Sequence, residues 1–205
     1  MKAKKRRGRG FKSRPRQIIN GRTYMHSYFK YAQLTWNKNF KIKKDVLENP
    51  RNGRNLMFLA KIGFEVYGID ISSYAVKIIK KLSKKENLKI NARVGNIFKK
   101  LPYKNEFFDV VIYTRTLNHG KINWIRKTIK EIYRVLKPSG YVFITVHKHR
   151  GKKHIPKERL YGIKWIEPRT YIILGGPEKG IIHYKFNKEI LIKEFKKVGF
   201  RILKF

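Results

Sequence analysis

The sequence lacks cysteine altogether and is poor in acids, with 13 Asp and Glu among 205 residues, the first of them Asp45. The absence of cysteine excludes disulfide bonds, cysteine-ligated zinc and thiol nucleophiles. No apolar run approaches the roughly 18 residues that a membrane-spanning helix needs, and the basic start lacks the apolar core of a secretory signal. The histidines of the stretch 147–154 have no nearby carboxylate cluster. We therefore expect a cytoplasmic protein with neither a membrane partner nor a metal site.

Basic residues dominate instead, because 51 Lys and Arg give a formal charge of +38. Residues 1–44 hold 15 of them and no acid. We predict a disordered basic arm over 1–22 and an aromatic and basic lead-in over 23–45. Residues 1–44 could contact RNA or DNA through phosphate binding and base stacking. Three other interpretations remain open. The aromatic residues could pack a short helix onto the domain, or the segment could be an organellar presequence. The charge could also reflect a source organism whose proteins are generally rich in lysine.

From about residue 46 onwards the sequence alternates between helical and strand patterns. The run FFDVVIY at 107–113 is typical of a strand buried on both faces of a parallel sheet. Four segments have a helical pattern, namely 53–62, 73–86, 122–136 and 187–198. This alternation predicts an α/β domain over 46–205, with a doubly wound, mostly parallel, Rossmann-like sheet and helices on both faces.

One carboxylate stands where such folds bind ligands. Asp70 follows the strand-like segment FEVYGI at 64–69. Ligands of open α/β sheets bind beyond the carboxyl ends of the strands, where an acid can accept hydrogen bonds from both hydroxyls of a ribose. On spacing alone this is a weak signal for a nucleoside cofactor.

Three longer stretches strengthen it: GRNLMFLAKIGFEVYGIDIS at 53–72, VGNIFKKLPYKNEFFDVVIYTRTLNHG at 94–120 and EIYRVLKPSGYVFITV at 131–146. In their order they resemble the class I S-adenosylmethionine-dependent methyltransferases, of the type 11 and tellurite-resistance-like small-molecule branch. Residues 165–185 resemble the substrate side of the same branch. The resemblance covers about 46–205 and implies an enzyme that uses S-adenosyl-L-methionine to methylate a small-molecule acceptor.

The resemblance also implies roles for single residues. It places Asp70 on the cofactor ribose with Ile71 beside the adenine, Asn96 and Ile97 at the adenine ring, and Thr114 near the transferred methyl group. Glu48 and Gly53 stand at the remnant of the first strand and its glycine-rich turn. His119 and His183 fall in segments that face the acceptor; each can also be an ordinary polar loop residue. No catalytic residue is assigned.

Two departures from the family pattern affect the expected function. Only Gly53 remains of the glycine-rich turn, and the family's last antiparallel strand has no counterpart before Phe205. The altered loop 48–53 is therefore expected to weaken cofactor binding. The leading hypothesis is a methyltransferase acting on a small or accessible nucleophile. The alternative is a catalytically degenerate protein that binds RNA or DNA through its basic arm. A further possibility is that the first 45 residues are not native to the fold.

Overall fold

The computed structural model describes residues 17–20, 45–48, 53–146 and 161–204. The described chain contains ten strands and four α-helices. The strands are β1 Gln17–Asn20, β2 Asp45–Glu48, β3 Glu65–Asp70, β4 Ile90–Val94, β5 Phe108–Thr114, β6 Leu136–Thr145, β7 Ile163–Glu167, β8 Thr170–Ile173, β9 Ile182–Tyr184 and β10 Arg201–Lys204. The helices are α1 Arg54–Lys61, α2 Ser73–Lys85, α3 Ile122–Val135 and α4 Lys188–Lys196.

Seven strands form one sheet in the order β10-β1-β6-β5-β2-β3-β4, and all of its pairings are parallel. The centre of the sheet is apolar on both faces, since Val110 and Ile112 point into one core cluster and Val111 and Tyr113 into another. Helices α1 and α2 cover the first cluster, and α3 and α4 cover the second. The predicted doubly wound, Rossmann-like fold is therefore confirmed.

The helix ends follow local sequence signals. The Ser72 hydroxyl accepts a hydrogen bond from the Ala75 N–H at the start of α2, and Asn187 Oδ1 accepts one from the Ile190 N–H at the start of α4. Helix α2 packs on the sheet through only part of its apolar residues. Its buried residues are Val76, Ile79 and Ser83, whereas Ile78 is 37% exposed.

Strand β1 corrects the predicted extent of the basic arm. Residues 17–20 pair with β6 on one side and β10 on the other, so these four residues belong to the main sheet and not to a disordered arm. A parallel strand in this position satisfies backbone groups of both neighbours. The rest of the arm and lead-in, residues 1–16 and 21–44, lies outside the described residues, and the domain boundary near 46 stays a prediction.

A second, smaller sheet stands apart from the first. Strands β7, β8 and β9 pair antiparallel in that order and span residues 163–184, which largely coincide with the predicted substrate-side stretch 165–185. Among the described helices none is long and apolar enough to cross a membrane.

Candidate functional site

The carboxyl ends of the parallel strands meet at one edge of the main sheet. Asp70, the last residue of β3, is level with Val94 of β4, and Thr114 of β5 is level with Thr145 of β6. Glu48 ends β2, which lies between β3 and β5. The fold therefore brings Glu48, Asp70 and Thr114 to the same edge, as their predicted roles require.

Asp70 is held by backbone groups. Its Oδ1 accepts a hydrogen bond of 2.9 Å from the Ser72 N–H. In the described part of the chain no lysine or arginine pairs with this carboxylate, although basic residues greatly outnumber acids. Partial burial raises the pKa of Asp70, and the backbone hydrogen bonds from Ser72 and Ile71 oppose the rise. The carboxylate is thus fixed in place with acceptor capacity left over.

Apolar side chains beside Asp70 are exposed to solvent. Ile71 is 74% exposed, Tyr74 73% and Val94 57%. Three such side chains around one fixed carboxylate form a surface that suits a flat apolar ring carrying hydroxyl groups nearby. An adenosine has that combination.

Asn96 and Ile97 follow β4 at the same edge. Asn96 Oδ1 accepts a hydrogen bond of 2.8 Å from the Phe98 N–H, so this oxygen already shapes its own loop. Ile97 is half-buried against the core. Their predicted contact with adenine stays a prediction, for which Asn96 retains the second lone pair of Oδ1 and its amide NH₂.

Gly53 has a packing role of its own. It precedes α1 with φ +67°, and a Cβ atom there would lie 2.9 Å from Ile79 Cγ1. A side chain at this position would therefore be strained and would crowd α2. Residues 49–52 of the altered loop lie outside the described residues, so the expected weakening of cofactor binding stays a prediction.

The loop after β5 leaves two buried polar atoms unsatisfied. Arg115 adopts φ +56°, and its N–H donates to the Thr145 carbonyl oxygen at 2.8 Å. Beyond it, Thr116 Oγ1 and Asn118 Oδ1 are buried without a hydrogen-bond partner among the described residues. Buried polar atoms are nearly always paired, so these two oxygens are positions at which a water or a ligand group would bind.

His119 and His183 come together although 64 positions separate them in the sequence. Their ring centroids lie 4.8 Å apart in an edge-to-face arrangement. His183 is buried and stacks on Tyr171 at 5.2 Å, and its Nε2 lies 3.6 Å from Glu178 Oε2. No group of three or more possible metal ligands occurs within the described ranges.

Two contacts hold the small sheet against the loop after β5. The Tyr184 N–H donates to the Asn118 carbonyl oxygen at 2.8 Å, and Lys121 Nζ lies 2.6 Å from Glu167 Oε1. The small sheet consequently stands at the same edge as Asp70 and Thr114, on the side of β5.

Comparison with known proteins agrees with this geometry. Residues 50–144 match the model of a family described as a methyltransferase domain. The solved structure of an S-adenosylmethionine-dependent methyltransferase from Methanosarcina mazei is similar with a TM-score of 0.63 and 21% identity, over 80% of this chain and 82% of that one. Residues 50–144 are therefore similar to a methyltransferase domain, and the chain shares the fold of this S-adenosylmethionine-dependent enzyme.

Two further proteins are similar to this chain. A Pyrococcus horikoshii protein of known structure is 25% identical, with a TM-score of 0.60 over 84% of this chain and 81% of that one. A tRNA (carboxymethyluridine(34)-5-O)-methyltransferase of Arabidopsis thaliana is 36% identical over 75 residues, which are 33% of this chain and 19% of that protein. The chain spans less than half the length of the curated relatives it matches.

The similar enzyme from Methanosarcina mazei is described as S-adenosylmethionine-dependent, and the described residues of this chain fit that cofactor. Asp70 offers a fixed carboxylate for two ribose hydroxyls, and the exposed Ile71, Tyr74 and Val94 offer an apolar surface for adenine. The Thr116 and Asn118 side-chain oxygens lie in the loop after β5, which contacts the small sheet through the Asn118 carbonyl oxygen.

Sequence reasoning missed the partners of the two histidines. Tyr171 reaches His183 because β8 pairs with β9, and Glu178 lies in the connection between these two strands. The alternation of side chains along a strand hints at such a pairing, but the register of two short strands is not readable from the sequence.

Proposed function

We propose that this chain is a methyltransferase that transfers the methyl group of S-adenosylmethionine to a small or accessible nucleophile. The observation that carries the proposal is the Asp70 carboxylate, fixed by backbone N–H groups at the end of β3 beside exposed apolar side chains. The family supplies the cofactor and the reaction class; the position of this carboxylate supports their use here.

Several residues at the edge would bind and orient the reactants. Asp70 would accept hydrogen bonds from the ribose, Ile71 and Ile97 would flank the adenine, and Asn96 would bind its edge. Glu48, Gly53 and Thr114 would line the rest of the cofactor site. When bound, S-adenosylmethionine supplies an electrophilic methyl carbon: the acceptor's lone pair forms the new bond, and the electrons of the broken carbon–sulfur bond stay on sulfur.

His119 and His183 would accept the proton that leaves the acceptor. A neutral imidazole accepts a proton through its unprotonated nitrogen, and the carboxylate of Glu178 near His183 Nε2 would stabilise the resulting charge. Because methyl transfer depends largely on holding donor and acceptor in line, these side chains would mainly position the acceptor.

Titration calorimetry with S-adenosylhomocysteine tests the proposal. We expect binding by the whole chain, and a loss of affinity of about 100-fold or more in Asp70→Ala, because two charge-assisted hydrogen bonds contribute about 1.5–3 kcal/mol each. Glu86→Gln is the matched control, since Glu86 follows the far end of α2 and pairs there with Lys61. A folded sample that gives no heat at high micromolar concentration would contradict the proposal.

The alternative is a catalytically degenerate protein of this fold that binds RNA or DNA through its basic arm, within the acid-free residues 1–44. The charge of that arm favours it. It predicts nucleic-acid affinity that falls steeply with salt, and that falls further on deletion of residues 1–16, with no cofactor binding. A cytoplasmic location stays a prediction, which fractionation of cells expressing the protein would check.

A further inference from the structure

The helices on the two faces of the main sheet differ in how their positive charges are balanced. Helices α1 and α2 on one face contain seven Lys and Arg and no acid. Helices α3 and α4 on the other face also contain seven Lys and Arg, but with three Glu. A general richness in lysine would affect both faces alike. The unbalanced charge is therefore a property of one face in particular.

Most of this unbalanced charge lies on α2, whose buried residues are Val76, Ile79 and Ser83. The lysines of the helix are all exposed and recur at spacings of three and four residues, which aligns them along its outer side over about 12 Å. We call these five residues the lysine face: Lys77, Lys80, Lys81, Lys84 and Lys85.

The lysine face is not neutralised within the described part of the chain. No ion pair among the described residues includes one of its five lysines. Glu86, the acid that follows α2 directly, pairs instead with Lys61 of α1. On the other face of the sheet, Arg126 of α3 pairs with Glu194 of α4. The ammonium groups of the lysine face are thus available to an external anion.

The arrangement of the lysine face is unfavourable for the helix itself. Residues three or four positions apart are neighbours on a helix surface, and like charges at that spacing destabilise it. The lysine face contains five such pairs. Alternating Glu and Lys would make α2 equally soluble and more stable. A polyanionic partner explains why only cations stand there.

The positive surface continues from the lysine face to the edge strand β4, beside which α2 packs. Residues 73–100 hold nine Lys and Arg and one acid, which gives 9 − 1 = +8 in 28 residues, against +38 in 205 for the whole chain. Lys89 before β4, and Lys99 and Lys100 after it, are exposed. This part of the molecule is consequently more basic than the chain as a whole.

An elongated positive surface of this kind suits the phosphate backbone of a nucleic acid. A double helix carries about one negative charge per 1.7 Å of its axis, so the lysine face spans several phosphates. An anionic membrane also attracts lysines, but a helix that lies on a membrane buries an apolar face in it. Between Lys77 and Lys85 the one large apolar residue that is exposed is Ile78, at 37%.

We infer that the lysine face binds the phosphate backbone of a nucleic acid without regard to base sequence, and that Lys89, Lys99 and Lys100 extend the contact. The inference goes beyond the proposed function and does not depend on it. The surface is also separate from the basic arm, which precedes the first acid of the chain at Asp45.

Fluorescence polarisation with labelled duplexes tests the inference on the full chain, without cofactor. The probes are a DNA and an RNA duplex of about 20 base pairs. The lysine-face variant combines Lys77→Gln, Lys81→Gln and Lys84→Gln. We expect its affinity to be about tenfold lower at about 100 mM salt, and the slope of log affinity against log salt to be smaller by about three, because each phosphate contact contributes about one. The duplex that the parent binds more tightly identifies the ligand as RNA or DNA.

A matched variant separates the lysine face from net charge. Lys127→Gln, Lys130→Gln and Lys193→Gln together remove three exposed charges from α3 and α4 on the opposite face, and should lower affinity about twofold or less. Arginine at the three lysine-face positions should retain the affinity. The thermal midpoint of the lysine-face variant should equal or exceed that of the parent, because repulsion along α2 is relieved.

Equal losses in the two triple variants would overturn the inference, since binding would then depend on net charge and not on the lysine face. Unchanged affinity of the lysine-face variant for both duplexes would overturn it as well. Binding to phosphatidylserine vesicles, but to neither duplex, would assign the surface to a membrane instead. Failure of the proposed function is distinguishable, because it would appear as absent binding of S-adenosylhomocysteine, which the lysine-face variant should bind as tightly as the parent.

Discussion

The two halves of the functional edge are built in different ways. On the side of β3 and β4, one carboxylate is held by backbone N–H groups next to exposed apolar side chains. On the side of β5 and the small sheet, rings and ion pairs join residues distant in sequence, such as His119 with His183 and Lys121 with Glu167. The first half offers a simple surface that one cofactor can fill; the second is a set of side chains that already support one another.

The difference has a consequence for how each half fails. A backbone-held carboxylate can be changed without disturbing its neighbours, so its variants should report ligand affinity. Substitution of a ring that is packed against other rings also displaces those rings, so such variants should report how the acceptor is positioned. The two halves share one sheet, so loss of that sheet should abolish both ligand affinity and acceptor positioning.

The largest effect should come from strand β1, which lies between β6 and β10 and thus inside the shared sheet. We expect a chain without residues 1–16 to keep its cooperative thermal transition, and a chain without residues 1–20 to lose it, because both neighbouring strands then lose hydrogen-bond partners. Circular dichroism during heating distinguishes the two. Equal midpoints for both truncations would show that β1 does not stabilise the sheet.

The next effect separates the two halves. We expect His183→Gln to lower methyl transfer about 100-fold, a typical contribution of a positioned proton acceptor, while S-adenosylhomocysteine affinity stays within about twofold of the parent. Tritium transferred from S-adenosylmethionine to a small amine or thiol acceptor measures the rate, and calorimetry with S-adenosylhomocysteine measures the affinity. His119→Gln is the companion variant. A parallel loss of both quantities would mean that the two halves are not independent.

What the sequence could predict follows the same division. Asp70, Ser72 and the strand FDVVIYT are read from local signals: a cap, a run of apolar residues and the position of an acid after a strand. The contacts of His183 with His119 and with Tyr171 depend on strand register and on docking of the small sheet, which are tertiary properties.

Strand β1 shows the same limit from the other direction. Four residues, QIIN, follow a stretch of sixteen that is mostly basic, and composition alone favours disorder throughout. Pairing with two strands formed far downstream places these four residues in the sheet.

Residues Lys137–Gly140 are a second example. Their proline and glycine predict a turn, yet the structure keeps them in β6 and accommodates the extra residues as a shift of register against β5.

The smallest expected effect is the one that the Asp70 carboxylate has on the free energy of unfolding. Burial raises the pKa of Asp70 above that of the unfolded chain, so folding favours its protonated form. The ionised carboxylate therefore destabilises the fold above the folded-state pKa, and this contribution disappears as the pH falls below the unfolded-state value. Asp70→Asn should accordingly be more stable than the parent at pH 7, by about 0.5 kcal/mol or less for a partly exposed site, and equal to it at low pH. Urea unfolding of both proteins across that range measures the difference. The same substitution should also weaken S-adenosylhomocysteine binding. A more stable variant with poorer binding would identify Asp70 as a residue that serves ligand binding. A less stable variant would show that the hydrogen bonds from Ser72 and Ile71 outweigh the cost of burial.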